Sequence, residues 1–125
     1  MILVVDSDPA VLGVIAAILR RSGHEVETAT DSCDAVRMVV DGLHPGLLVT
    51  GFIFAATNGV AMAQEIRCHA PGLPVLIVTA GAENLPPAIT RYGFSVLPKP
   101  FLPRELTEAV RKAMAARGVE VKHHA

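Results

Sequence analysis

The side chains able to do chemistry in this chain stand in short clusters far apart in sequence: Asp6-Ser7-Asp8, Thr50-Gly51, Thr79-Ala80 and Lys99-Pro100. Brought together, carboxylates, a hydroxyl and an ammonium could hold a cation or contact an anion. One stretch stands out for what it lacks: from Gly42 to Gln64 there is no Asp or Glu. Other chemistries are poorly supplied. Ser32, Thr50 and Thr79 have no His and acid at the spacing of a nucleophilic triad. Gly51, Gly59, Gly81 and Gly93 form no dinucleotide or phosphate-loop fingerprint and read as turns. Cys33 and Cys68 are too few and too far apart for a disulfide framework or a metal knuckle, and read as reduced thiols of a cytosolic protein. His123-His124 is too short for a metal tract.

Composition sets the frame for positioning these clusters. The 125 residues are 51% hydrophobic and 18% charged, which excludes disorder and suits one domain with its own core. Trp is missing and aromatics are 4%, so the core must be aliphatic. The formal net charge is −1, with charges scattered along the chain and no basic face for nucleic acid. The longest apolar run, Ala10 to Leu19, is too short to span a bilayer. Asp6 and Asp8 precede it, so it is no signal peptide either. A soluble cytoplasmic protein, with no membrane partner, is expected.

Apolar runs alternate with helical patterns along the chain. Buried strands are expected at Ile2 to Val5, Leu47 to Phe54, Leu73 to Thr79 and Phe94 to Leu97, with a half-exposed edge strand at Glu25 to Thr28. Helices are expected from Asp8-Pro9 to about Arg21, from Asp31 or Ser32 to Asp41-Gly42, from Val60 to about His69 after an Asn58-Gly59 turn, and from Pro103 to Arg117. Pro86 and Pro87 leave room only for a short helix before the last strand. A domain over 1–117 and a loose tail over 118–125 complete the chain. Continuous apolar strands with intervening helices make a parallel sheet covered on both faces, a doubly wound three-layer α/β/α sandwich. Such sheets hold ligands at the carboxyl ends of their strands, where the four clusters fall, so these should line one pocket.

The first helix is expected to bury Val11, Val14, Ile15, Ile18 and Leu19. Ala10, Leu12, Gly13, Ala16 and Ala17 are then left as an apolar outer face. Such a face is a candidate contact for a partner or a second copy of the chain. Gly13 and Ala17, one helical turn apart, let another helix come close.

Three segments carry a resemblance. Ile2-Leu3-Val4-Val5-Asp6-Ser7-Asp8-Pro9, Pro74-Val75-Leu76-Ile77-Val78-Thr79-Ala80 and Leu97-Pro98-Lys99-Pro100-Phe101, in this order, resemble the receiver domain of two-component response regulators, the CheY-like fold. The resemblance runs from about Ile2 to Ala115 and implies a parallel sheet in the order 2-1-3-4-5. In that family an aspartate ending the third strand takes a phosphoryl group from a histidine kinase. Acids after the first strand hold Mg²⁺, and a hydroxyl and a lysine contact the phosphoryl oxygens, so the chemistry is charge neutralisation. Carried over by position, Thr79 with the small Ala80 matches the hydroxyl, Lys99 the lysine and Asp6 the first acid. Ser7 stands in place of the second acid, and Gly51 in place of the acceptor aspartate. Phe54-Ala55-Ala56-Thr57-Asn58-Gly59 replaces the family's Met-Pro-Gly-Met-Asp-Gly loop, and Val96 its switch aromatic. No shift of register restores an acceptor, because Gly42 to Gln64 holds no acid. Thr50 is adjacent, but its side chain belongs to the other face of the strand.

With Gly51 and Ser7 in those places, only Asp6 is clearly set for Mg²⁺, which wants one or two carboxylates among octahedral oxygens. Asp8 is claimed by the helix start. No cofactor is expected, and Asp6 is a weak metal candidate. Lys99 then needs a partner, since an unpaired, partly buried ammonium is costly. Asp6 as its ion-pair partner is one expectation; Asp6 acting only as a cap on the first helix is the other. Thr79 and Lys99 read as packing and hydrogen-bonding residues ahead of phosphate contacts. The function expected is that of a degenerate receiver, a non-enzymatic, phosphorylation-independent module. It binds a histidine kinase or another signalling protein, or forms a homodimer. Leu12, Gly13, Ala16, Ala17 and Val96 are its candidate contact residues. Two alternatives stand beside it: residual phosphotransfer through Asp6 or Asp8, and a small-ligand or anion sensor using the pocket emptied at Gly51.

Overall fold

The computed structural model describes residues 1–124, with side chains described for residues 1–87 and 89–115. In chain order the elements are β1 (Ile2–Val5), α1 (Pro9–Arg21), β2 (Val26–Ala29), α2 (Ser32–Val40), β3 (Leu47–Thr50), α3 (Gly59–His69), β4 (Val75–Thr79), α4 (Ala88–Arg91), β5 (Ser95–Pro98) and α5 (Pro103–His124). A 3-10 turn at Ala82–Asn84 precedes α4. The strands pair in parallel in the order β2-β1-β3-β4-β5. This is the expected CheY-like sandwich. Among the described residues no helix is long and apolar enough to cross a membrane.

Strand alternation divides the core in two. Ile2, Val4, Leu47, Val49, Leu76, Val78 and Leu97 pack on one face with Leu12, Ile15 and Leu19 of α1 and Leu106 and Val110 of α5. Leu3, Val5, Leu48, Val75 and Ile77 pack on the other with Ala35 and Val39 of α2 and Met62 and Ile66 of α3. Helix entries are set locally. Asp8, Asp31 and Asn58 cap α1, α2 and α3, accepting from the backbone N–H groups of Ala10 at 2.9 Å, Asp34 at 2.8 Å and Ala61 at 2.9 Å. At the start of α5, Glu105 Oε1 accepts from the Leu102 N–H at 2.6 Å, the reach-back half of a capping box.

Several boundaries differ from those expected. β3 stops at Thr50 instead of running to Phe54. The Gly51 N–H still bonds Val5 O at 2.9 Å, but the chain then closes on itself, with the Gly59 N–H on Phe52 O and a bridge between Ile53 and Asn58. Asn58-Gly59, expected as a turn, is the cap and first residue of α3. α5 continues in the backbone to His124, so the segment expected as a tail is helical as far as that residue.

α1 is rotated from its expected orientation. Leu12, Ile15, Ala16 and Leu19 are buried, while Val14 is 54% exposed. The helix lies over β1 and β2 and also leans on α5, which centres its buried arc on Leu12 to Ala16 and takes in Val11 and Ile18 only in part. Leu12 and Ala16, expected as partner contacts, are therefore core residues. Ala10, Gly13, Val14 and Ala17 are the apolar positions of α1 that face outward. Leu12→Ala should then cost about 2–4 kcal/mol as a cavity lesion, while Val14→Ala stays within about 0.5 kcal/mol of wild type, as urea denaturation would show. A larger cost for Val14→Ala than for Leu12→Ala would place the helix in the orientation read from sequence.

Candidate functional site at the strand ends

Sheet register decides which residues meet. Val5 pairs with Thr50, Thr50 with Ile77, and Thr79 with Pro98. The residues that follow, Asp6, Gly51 and Lys99, leave the sheet at its carboxyl edge. Continuing the alternation of Val4, Val49 and Leu97, they belong to the face covered by α1 and α5. Thr50 belongs to the opposite face, and its hydroxyl donates to the Gly51 carbonyl at 2.8 Å. Asp6, Ser7, Asp8, Gly51, Thr79, Ala80 and Lys99 line one cleft of about 300 Å³.

Asp6 is 4% exposed, and both its oxygens are engaged. Oδ1 accepts from the Asp8 N–H at 2.9 Å, and Oδ2 lies 3.5 Å from Lys99 Nζ. The expected ion pair with Lys99 is thus present, and the alternative of Asp6 as only a helix cap does not hold: Asp8 caps α1, and Asp6 braces the N–H of that cap residue. Attraction across such a pair is roughly 4 kcal/mol at an effective dielectric near 20, and desolvation offsets much of it. A Cβ on Gly51 would stand 2.9 Å from Asp6 Oδ2 and 3.4 Å from its Cγ. The positive-φ glycines are Gly23, Gly42, Gly72 and Gly93, so what favours glycine at residue 51 is the crowding by the Asp6 side chain and not backbone conformation.

The hydroxyls serve their own loops. Thr79 Oγ1 accepts from the Gly81 N–H at 3.1 Å, and Ser7 Oγ donates to the Ile53 carbonyl at 3.3 Å. Phe52, Ile53, Val78, Gly81 and Asn84 also line the cleft and were missed in the sequence. Gly59 was missed too. Its Cβ would fall on the carbonyl oxygen of Gly51, because the start of α3 packs directly against the end of β3. A single sequence carries no signal for that close approach. Among the described residues no three of His, Cys, Asp and Glu stand together as a metal set.

A larger cleft of about 640 Å³ runs between β5 and α5, lined by half-buried Val96 with Leu76, Arg104, Glu105, Glu108 and Lys112. It shares no residue with the strand-end cleft. Arg111 donates to Glu108 there at 2.6 and 3.0 Å, and this hydrogen bonding holds the Glu108 carboxyl below its ordinary range. Polar groups converge on the smaller cleft, at the strand ends where ligands bind in such sheets.

Replacing a glycine by alanine at a compatible position normally stabilises by about 0.4–1 kcal/mol. Gly51→Ala should instead lose about 1–2 kcal/mol, because Asp6 can turn away only by giving up Lys99 or the Asp8 N–H. The loss should shrink in a Lys99→Met background. Gly59→Ala should cost more than Gly51→Ala, since the atom in its way is backbone. Chemical denaturation of wild type, the three single variants and the double variant checks this, and a stabilising Gly51→Ala would contradict the packing described.

Comparison with known proteins agrees with this geometry. The profile of the response regulator receiver domain matches residues 2–111. The DNA-binding transcriptional regulator NtrC of Azospirillum brasilense is 33% identical over 115 residues, covering 90% of this chain and 24% of NtrC. The chain spans 51% of the length of other curated relatives it matches. The solved receiver domain of NtrX from Brucella abortus superposes with a TM-score of 0.82 at 29% identity, covering 92% of this chain and 98% of that one. A receiver domain protein from Clostridium thermocellum reaches 0.84 at 24% identity, covering 94% and 96%, a likeness of fold alone. A family profile that takes in every strand, joined to a matching sheet order and to a cleft at the strand ends, identifies this chain as belonging to the response regulator receiver domain family.

Proposed function

We propose that this two-component receiver domain is degenerate: a cytoplasmic, phosphorylation-independent module that binds other signalling proteins and has no catalytic residue of its own. One observation carries the reading. The carboxylate of Asp6 crowds the place of a Cβ on residue 51, its Oδ2 2.9 Å from it, and Lys99 is its partner. Phosphoryl transfer to a receiver needs an acceptor acid and a metal to neutralise charge. Residue 51 offers no side chain, and the stretch around it offers no acid.

The donor set does not fit Mg²⁺. Asp6 is engaged at both oxygens, Asp8 Oδ1 caps the Ala10 N–H, and Ser7 supplies a hydroxyl where a carboxylate is needed. Residual phosphotransfer has less support for the same reason, since Asp6 is buried in its pair and Asp8 is held at the helix start. A small anion in the cleft would face a Lys99 already neutralised by Asp6. A histidine kinase or another signalling protein is the partner class that suits a receiver.

Incubation of the wild-type chain with Mg²⁺ and acetyl phosphate should give no phosphoryl mass gain. A stoichiometric acid-labile adduct would overturn the reading. The restored variant Gly51→Asp/Ser7→Asp should be less stable than wild type without metal, from three crowded carboxylates. It should gain about 2.7 kcal/mol when free Mg²⁺ reaches one hundred times its dissociation constant, as thermal unfolding would report. Absence of any Mg²⁺ effect in that variant would mean the loop from Phe54 to Asn58 is also unfit for the metal.

A further inference from the structure

We infer that Arg67 is the positioning residue that fixes the turn between α4 and β5, and that it does so from the α3 side of the sheet. α4 is a single turn after Pro86-Pro87, too short to hold itself by helix propagation. Its closure rests on two backbone bonds, from Gly93 N–H to Thr90 O and from Phe94 N–H to Ile89 O, each 3.1 Å. Gly93, at φ 71°, supplies the left-handed residue that ends such a turn.

Arg67, in the last turn of α3, reaches across to this segment. Its Nε donates to Leu73 O at 2.9 Å and its Nη1 donates to Tyr92 O at 2.7 Å. The guanidinium carbon lies 4.6 Å from the centre of the Phe94 ring, which is itself 5.5 Å from the Tyr92 ring. One side chain thus joins the end of α3, the loop into β4 and the turn into β5. A planar guanidinium can do this because its donors diverge in a fixed fork while its face stacks on a ring; an ammonium cannot. Phe94 is buried in the core shared with α2 and α3, whereas Asp6, Gly51 and Lys99 belong to the other face. This assignment rests on these contacts alone and not on the cleft being degenerate.

The chain has one Tyr and no Trp, so its intrinsic fluorescence reports Tyr92 alone. In Arg67→Met the amides of Gly93 and Phe94 should exchange roughly 10- to 100-fold faster, the effect of losing a charge-assisted bond, and Tyr92 should become more open to acrylamide quenching. The Gly51 amide, bonded to Val5 O, is the control for global stability and should not follow. Arg67→Lys should restore only part of the protection. Unchanged exchange at Gly93 and Phe94, a rise equal to that at Gly51, or full rescue by Lys would each overturn the assignment.

Discussion

Asp6 and Gly51 are neighbours on adjacent parallel strands and on the same face of the sheet, so the volume absent at one is available to the other. That adjacency follows from the pairing of Val5 with Thr50 and leaves no freedom to the side chains beyond it. With no Cβ at residue 51, the Asp6 carboxylate takes the space and meets the Lys99 ammonium arriving from β5. A second bare residue, Gly59, lets the start of α3 come down onto the Gly51 carbonyl, so the loop after β3 closes tightly. The packing of the cleft thus depends on the missing side chain at residue 51, and the seat of α3 on the one missing at residue 59.

The stability of the domain lies elsewhere. Its largest fully buried side chains are Ile, Leu and Met, spread over both faces of the sheet, and burial of such groups is the dominant favourable term in folding. The buried polar residues are Asp6, Thr50 and Thr79, and among the described residues no buried side-chain polar atom lacks a partner. A polar cleft at a sheet edge can leave an ammonium or hydroxyl without a partner. Here Asp6 answers Lys99, and the Gly81 N–H answers Thr79, so these groups are satisfied by the cleft's own residues. That pairing separates shape from chemistry: the scaffold keeps a receiver's surface while its polar groups are bonded to one another.

Much of this was legible beforehand. The strand runs, the caps at Asp8 and Asp31, the short helix after Pro86-Pro87 and the convergence of four clusters all rest on local periodicity and on the geometry of parallel sheets. The orientation of α1 was not legible, because both of its faces are apolar and the choice falls to where β2 and α5 stand. The end of β3 was not legible either: Phe52, Ile53 and Phe54 prolong an apolar run, but the ladder stops when Gly59 turns back onto Phe52. The role of Arg67 was not legible, because its partners lie in two other segments.

The sequence by itself determined the kind of sheet, the order of its elements and the absence of any acid from Gly42 to Gln64, because each is written in residues close together along the chain. Only the tertiary structure decided that Asp6 fills the place beside Gly51, that Gly59 must be bare and that Arg67 holds the α4–β5 turn. Those are contacts between segments remote in sequence, set by register and packing distance, and no local pattern encodes a distance.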